Sequence, residues 1–295
     1  MRIATRGSDL ALWQARWVRD RLHSIHAIHA ELTIVTTRGD RDSDQTLPVM
    51  EGVGFFTKEI EQALLDGRAD LAVHSFKDLP TADTPGLAVA AIPPRAAPND
   101  WLLIRRSHED AGAPTWPIRA GARVGTCSVR RSAQLLHRRP DLIIADLRGN
   151  VPTRVERLRR EAFDAIVLAQ AGLERLELDL AEFGVVDLLP SGFLPAAGQG
   201  ALAIQCRAED DATRSLVQAL NHVQTFSAVA AERALSARFQ GGCSLALGCL
   251  ATASSAGVKL QAAWPRSPGE CRTCAVEAAS PAAAAAEAYA RLMEP

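Results

Sequence analysis

The chain has 295 residues, with 33 basic and 34 acidic side chains and a formal net charge of −1. With 47% hydrophobic residues it has a globular composition sized for two or three domains, which excludes a disordered polyelectrolyte and argues against a generic nucleic-acid binder. The balanced sum hides a bias: only Lys58, Lys77 and Lys259 are lysine, so thirty of the basic residues are arginine.

In chain order, the pattern predicts a strand at 2–5, a helix at 9–22 opened by Ser8, and a strand at 32–37. A loop with Gly52 and Gly54 leads to Thr57, the expected cap of a helix through Leu65, and strands follow at 70–74 and 87–92. This order predicts a mostly parallel sheet covered by helices. Pro93, Pro94 and Pro98 mark a boundary. The pattern restarts with strands at 101–105 and 123–126, a helix at 129–138, a strand at 142–147, a helix at 152–161 and a strand at 165–169. A Gly- and Pro-rich stretch over 190–200 closes this unit, and a strand at 201–206 and a helix at 213–220 come next. From about 221 a helix near 227–237, β-rich runs at 244–252, 258–264 and 273–278 and an Ala-rich terminal helix read as a smaller α+β unit.

The start of the chain lacks the apolar core of a signal peptide, and no run reaches the roughly 18 apolar residues of a membrane helix. The expectation is a cytoplasmic chain with no membrane or nucleic-acid partner. Six cysteines occur, and disulfides are not expected in that setting. Cys271 and Cys274 form a CxxC without a second pair at zinc spacing, so no metal is expected.

Three segments can hold chemistry. In Ala72-Val73-His74-Ser75-Phe76-Lys77-Asp78-Leu79-Pro80 an apolar strand runs into Lys77 and Asp78, where open α/β sheets bind ligands; the plain alternative is a turn. In Gly125-Thr126-Cys127-Ser128-Val129-Arg130-Arg131 a strand ends at a helix N-terminus with two arginines, a place for an anion or simply a capped helix with solvated arginines. Leu147 to Arg154 repeats the arrangement, and Arg6 with Ser8 forms a third such junction. Residues 119–160 hold eleven arginines against three acids, a local net of +8, which points to a multi-anionic ligand. The third segment is Gly241-Gly242-Cys243: the glycines leave the sulfur accessible as a nucleophile or covalent anchor, or the thiol is a small buried hydrophobe.

Taken in order, these segments resemble the porphobilinogen deaminase (hydroxymethylbilane synthase) family. The resemblance rests on Arg2 to Ser8 with Leu10 to Ala15; Thr37-Arg38-Gly39-Asp40; Phe56-Thr57-Lys58-Glu59; Ala72 to Pro80; Gly125 to Arg131; Arg139 to Leu142; Leu147 to Asn150; Leu168 to Leu173; Pro195 to Gly200; Ala231-Glu232-Arg233-Ala234; and Gly241-Gly242-Cys243. It covers nearly the whole chain.

The resemblance implies two α/β domains similar to type II periplasmic binding proteins around a cleft, plus a small α+β C-terminal domain. The implied divisions are 1–94 with 200–220, 95–199 and 221–295. It implies a monomeric transferase of tetrapyrrole biosynthesis that joins four porphobilinogen molecules into hydroxymethylbilane with loss of ammonia. A covalent dipyrromethane cofactor, attached by a thioether at Cys243, is implied as the primer. By the same matching Asp78 is the catalytic aspartate, which assists the leaving amine and stabilises the cation formed. Lys77, Thr126, Ser128, Arg130 and Arg131 are the implied cofactor contacts, and Arg6, Ser8, Arg148, Arg154, Arg175 and Gln199 the substrate contacts. Each porphobilinogen carries an acetate and a propionate, so clustered arginines suit the growing chain. Val49 and Val53 stand where the family's loop usually has lysines, Ser244-Leu245-Ala246 follows Cys243 in place of the common Gln-x-Pro, Cys127 replaces a common serine and Pro152 a common glycine. The alternatives are a diverged, non-catalytic paralogue that binds an anionic tetrapyrrole or its precursor, and a solute-binding protein.

Overall fold

The computed structural model describes residues 1–37, 57–189, 192–239, 245–267 and 270–294. Cys243, Val49, Val53, Gly52 and Gly54 lie outside the described residues.

The first sheet takes its strands from both ends of the α/β region. Strand β1 (Arg2–Thr5), helix α1 (Asp9–His26) and strand β2 (Glu31–Ile34) are followed by helix α2 (Lys58–Leu65), strand β3 (Leu71–Ser75) and strand β4 (Leu87–Ala91). Apolar residues without alternation make β1 and β3 buried on both faces, as a sheet between helices requires.

The second sheet contains β5 (Asp100–Arg105), β6 (Arg123–Gly125), β7 (Ile143–Ala145), β8 (Ala165–Ala169) and β9 (Phe183–Asp187). Helices α3 (Val129–Arg138), α4 (Val151–Arg159) and α5 (Gln170–Arg175) alternate with these strands. The chain then returns to the first sheet as β10 (Leu202–Arg207), followed by α6 (Asp211–Gln218).

The two sheets share one plan. Their orders are β2-β1-β3-β10-β4 and β7-β6-β8-β5-β9. In each, four of the five strands run in one direction, and one (β10 in the first, β5 in the second) runs antiparallel to both of its neighbours. The sheets are therefore mostly parallel in strand direction, as the sequence pattern predicts, with one opposing strand in each that the pattern does not show. The reason is topological: β10 arrives from the other sheet beside Ser75, at the carboxyl end of β3, so it has to run the opposite way.

The remaining unit begins with α7 (Val223–Arg238) and continues through the antiparallel strands β11 (Gly248–Ser254), β12 (Gly257–Ser267) and β13 (Glu270–Ala278) to α8 (Pro281–Met293). Both helices pack on this sheet around Leu235, Leu260, Val276 and Leu292. No helix among the described residues is long and apolar enough to cross a membrane. Helix α1 runs four residues past its expected end, and Ala27 in the left-handed region stops it. Ser8 and Thr57 stand at the expected N-cap positions, but neither side chain makes a capping hydrogen bond. Ser128 and Asn150 do cap their helices, accepting from the amides of Arg131 and Thr153.

Candidate functional site in the cleft between the two sheets

Strand ends and helix starts from both sheets meet around one cavity of about 80 Å³. Leu10, Gln14, Ser75 and Lys77 line it from the first sheet's elements, and Arg131, Arg154, Gly172 and Arg175 from the second's. Gly200 and Ala201, on the returning crossover, complete it. Among the described residues four cations face this cavity and no carboxylate lines it. Gln14 and Ser75 hydrogen-bond to each other, amide nitrogen to hydroxyl, at 2.8 Å.

Lys77 and Asp78 lie in a short 3-10 turn, Phe76–Asp78, directly after β3, and both are exposed; Lys77 lines the cavity, and Asp78 stands beside it without lining it. Water reaches Lys77, yet the surrounding walls replace much of its hydration. Desolvation pulls its amine down to about 8; Asp78 opposes that shift and Arg131 adds to it. Burial likewise lowers Arg175 to about 10, and it pushes the Arg154 guanidinium below its ordinary value. Asp78 and Cys127 raise Arg154 against that trend. These cations are short of counter-charge, a state that an anionic ligand relieves.

Arg130 and Arg131 follow a different logic. Both are buried and pair with the fully buried Asp100, at 2.8 Å from Arg130 Nη1 and 2.7 Å from Arg131 Nη2. Burial alone would raise the Asp100 carboxyl; the two guanidinium groups outweigh it and hold it well below the usual carboxylate range. Arg131 also donates from Nε to Asp100 at 3.2 Å and from Nη1 to the Val167 carbonyl at 3.1 Å. A guanidinium has five N–H groups, so two on Arg131 are left for the cavity. Arg130 donates to the Leu194 carbonyl at 2.7 Å and does not line the cavity.

The other expected contacts divide in the same way. Gln199 is buried and its amide nitrogen reaches the Pro98 carbonyl at 2.6 Å and Asp100 at 3.0 Å, which ties the two crossovers together outside the cavity lining. Thr126 is buried, and its hydroxyl accepts from the Ser128 amide at 3.2 Å. Arg148 is half-buried, 3.8 Å from Asp146. Arg154 donates from Nε to the Gly149 carbonyl at 2.7 Å, which aims its remaining donors. Arg175 donates to the Gly200 carbonyl at 2.8 Å and sits 5.5 Å from the Trp13 ring, bridging the two sheets' elements. Arg6 and Ser8 follow β1 without lining the cavity. Asp100, Gln14 and Ser75 carry no site signal of their own in the sequence. Gln14 and Ser75 lie within residues 10–15 and 72–80, two of the segments that carry the resemblance, but Asp100 bears only a generic signal, an acid after a Pro-rich boundary.

The frame and cleft define a class: a two-sheet α/β protein with a cationic interlobe site and a third unit attached at the crossovers. Residues 1–215 match the family model described as "Porphobilinogen deaminase, dipyromethane cofactor binding domain". A porphobilinogen deaminase from Syntrophotalea carbinolica is 49% identical over 255 residues, which cover 85% of this chain and 78% of that one. The chain belongs to the porphobilinogen deaminase family. Among solved structures it is similar to the methionine binding protein MetQ, at 11% identity and a TM-score of 0.46, covering 75% of this chain and 89% of that one. An ABC-transporter periplasmic substrate-binding protein from Coxiella burnetii gives 11% and 0.45, covering 75% and 91%.

Proposed function

We propose that this chain is a transferase that joins four porphobilinogen molecules into hydroxymethylbilane, releasing ammonia at each addition. The single observation that supports it most is the cleft itself, where Lys77, Arg131, Arg154 and Arg175 face one cavity with no lining carboxylate among the described residues and Asp78 stands beside Lys77.

The same residues fit a covalent dipyrromethane, whose pyrrole rings carry several carboxylates. When bound by a thioether at Cys243, that group supplies the free pyrrole position to which the first substrate is joined. Lys77 and Arg131 would hold its carboxylates, helped by Ser128 and Thr126 at the α3 start and by Arg130, which braces Arg131 through Asp100. Arg154, Arg175, Arg148, Arg6, Ser8 and Gln199 would hold or position the incoming substrate. Asp78 faces the aminomethyl group: its carboxylate hydrogen-bonds the departing ammonium and stabilises the positive charge that develops as the carbon–nitrogen bond breaks. The cations orient the carboxylates so that this bond points at Asp78. In this reading residues 1–94 with 200–220 and residues 95–199 are the two cleft domains, and 221–295 is the domain that bears the cofactor. The chain acts as a monomer in the cytoplasm.

The test is an intact-mass measurement on denatured protein expressed where porphobilinogen is made, together with porphobilinogen consumption. The expected result is a mass above the sequence mass by one dipyrromethane, abolished by Cys243→Ser, with turnover to a bilane. A chain at sequence mass that stays unmodified after incubation with porphobilinogen would refute the reading.

A further inference from the structure

The turn that bears Asp78 is gripped from two sides. On one side lies Gly198 of the crossover: a Cβ added there would stand 3.3 Å from Phe76 Cβ and 3.4 Å from the Lys77 amide nitrogen. On the other side lies Arg233 of α7. Its guanidinium carbon is 4.4 Å from the centroid of the buried Phe76 ring. Nη1 donates to the Leu79 carbonyl at 3.0 Å, and Nη2 donates to the Pro80 carbonyl. These contacts bracket Lys77 and Asp78 in the chain, one before them and two after.

The chemistry of the grip is specific to arginine. A planar fork can stack on a ring and donate to two adjacent carbonyl oxygens at once, whereas a lysine ammonium cannot do both. The same helix ends at Arg238, five residues before Cys243. Its neighbouring residue Glu232 is tied to Arg95, Gly198 and Ala251. Helix α7 is thereby fixed to the crossovers by one residue and to the Asp78 turn by the next.

We infer that Arg233 is a positioning residue for Asp78, acting through Phe76, Leu79 and Pro80 to hold the catalytic turn in register with the helix that leads to the cofactor-attachment position. This role rests on the proposed reading of Asp78 as the group that meets the leaving amine. Arg233 touches neither substrate nor cofactor in it, so its loss slows turnover and leaves binding in place.

The experiment uses cofactor-loaded enzyme and measures kcat and KM for porphobilinogen in wild type, Arg233→Gln, Arg233→Lys and Phe76→Leu, with intact mass for each. For Arg233→Gln the expected kcat loss is on the order of 10²-fold, the scale of a misplacement of about 1 Å. KM stays within roughly threefold and the pyrrole adduct is still present. Arg233→Lys recovers part of the loss, and Phe76→Leu falls between it and wild type. The role is overturned if Arg233→Gln keeps wild-type kcat, if its whole loss lies in KM, or if a missing adduct accounts for the loss. Should Arg233→Gln not fold, Phe76→Leu removes only the stacking surface and decides in the same way: an unchanged kcat overturns the role. A wild type that leaves porphobilinogen unconsumed overturns the proposed activity and this role together. A wild type that turns over alongside an equally active Arg233→Gln overturns this role alone.

Discussion

Arg95 and Glu232 face each other through two parallel hydrogen bonds, Nη1 to Oε1 at 2.6 Å and Nη2 to Oε2 at 3.0 Å. Arg95 lies on the crossover between the two sheets, and Glu232 is the fully buried residue of α7 that meets it. The carboxylate also accepts from the amides of Gly198 at 2.7 Å and Ala251 at 2.8 Å. Three groups thus place four hydrogen bonds on one carboxylate, joining both crossovers and β11 to α7.

Removing one partner of a buried pair leaves an uncompensated charge, so Arg95→Met is expected to lose about 3–5 kcal/mol of unfolding free energy. Adding Glu232→Leu does not restore the wild-type value, because the Gly198 and Ala251 amides then lack an acceptor, at a cost of about 1–3 kcal/mol each. Denaturant titrations of the single and double variants, followed by circular dichroism, check both values. A double variant as stable as wild type would show that the carboxylate serves Arg95 alone.

Much of this frame is legible in the sequence. The strand at Arg2–Thr5, the helix at Val129–Arg138 and the strand at Ala165–Ala169 fall where apolar runs and caps place them. Strand β9 escaped because it is a half-exposed edge strand with Gly184 and Asp187 in it, so it shows neither a continuous apolar run nor clean alternation. The site was legible as a density of arginines, but its division of labour was not. Arg130 and Arg131 read alike in the sequence; only packing against Asp100, thirty residues earlier, shows that one faces the cavity and the other braces it.

Asp100 gives a pH prediction. Its folded carboxyl titrates below its unfolded value of about 3.9, so its contribution to stability is fully present above that pH. The contribution is lost as acid carries the pH down toward the lower folded value. Asp100→Asn is therefore expected to flatten the stability curve below about pH 4. At neutral pH it costs about 3–5 kcal/mol, because two guanidinium groups are left buried without their carboxylate. Denaturant titrations at a series of pH values read both effects; a variant with an unchanged acid slope would contradict the assignment.

Lys77 gives a prediction about catalysis at alkaline pH. Its amine is pulled down to about 8 by desolvation, so the free enzyme loses a cleft charge as pH rises through that value. Affinity for a carboxylate ligand then falls, and kcat/KM for porphobilinogen is expected to show an alkaline limb near pH 8. Lys77→Arg keeps its charge through this range and should move the limb upward. A limb that stays in place in Lys77→Arg would assign it to another group.

Gly198 tests whether the turn beneath Asp78 must be held closely. Its φ of +71° lies in the left-handed region, where a side chain costs roughly 1–2 kcal/mol. The added Cβ would also press on Phe76 and the Lys77 amide, both closer than ordinary contact permits or at its limit. Backbone strain is a stability effect alone, whereas displacement of the turn moves Asp78 relative to the cations. Gly198→Ala is therefore expected to lower Tm by a few degrees and kcat by more than the stability loss explains, on the order of tenfold or greater. Both follow from a thermal melt and steady-state kinetics at a temperature where the variant is fully folded. Gly121→Ala supplies the control: its φ of +70° imposes the same strain, but nothing lies within 4 Å of the added Cβ. It should lose a similar amount of stability and retain kcat, and equal kinetic losses in the two variants would rule out a transmitted displacement.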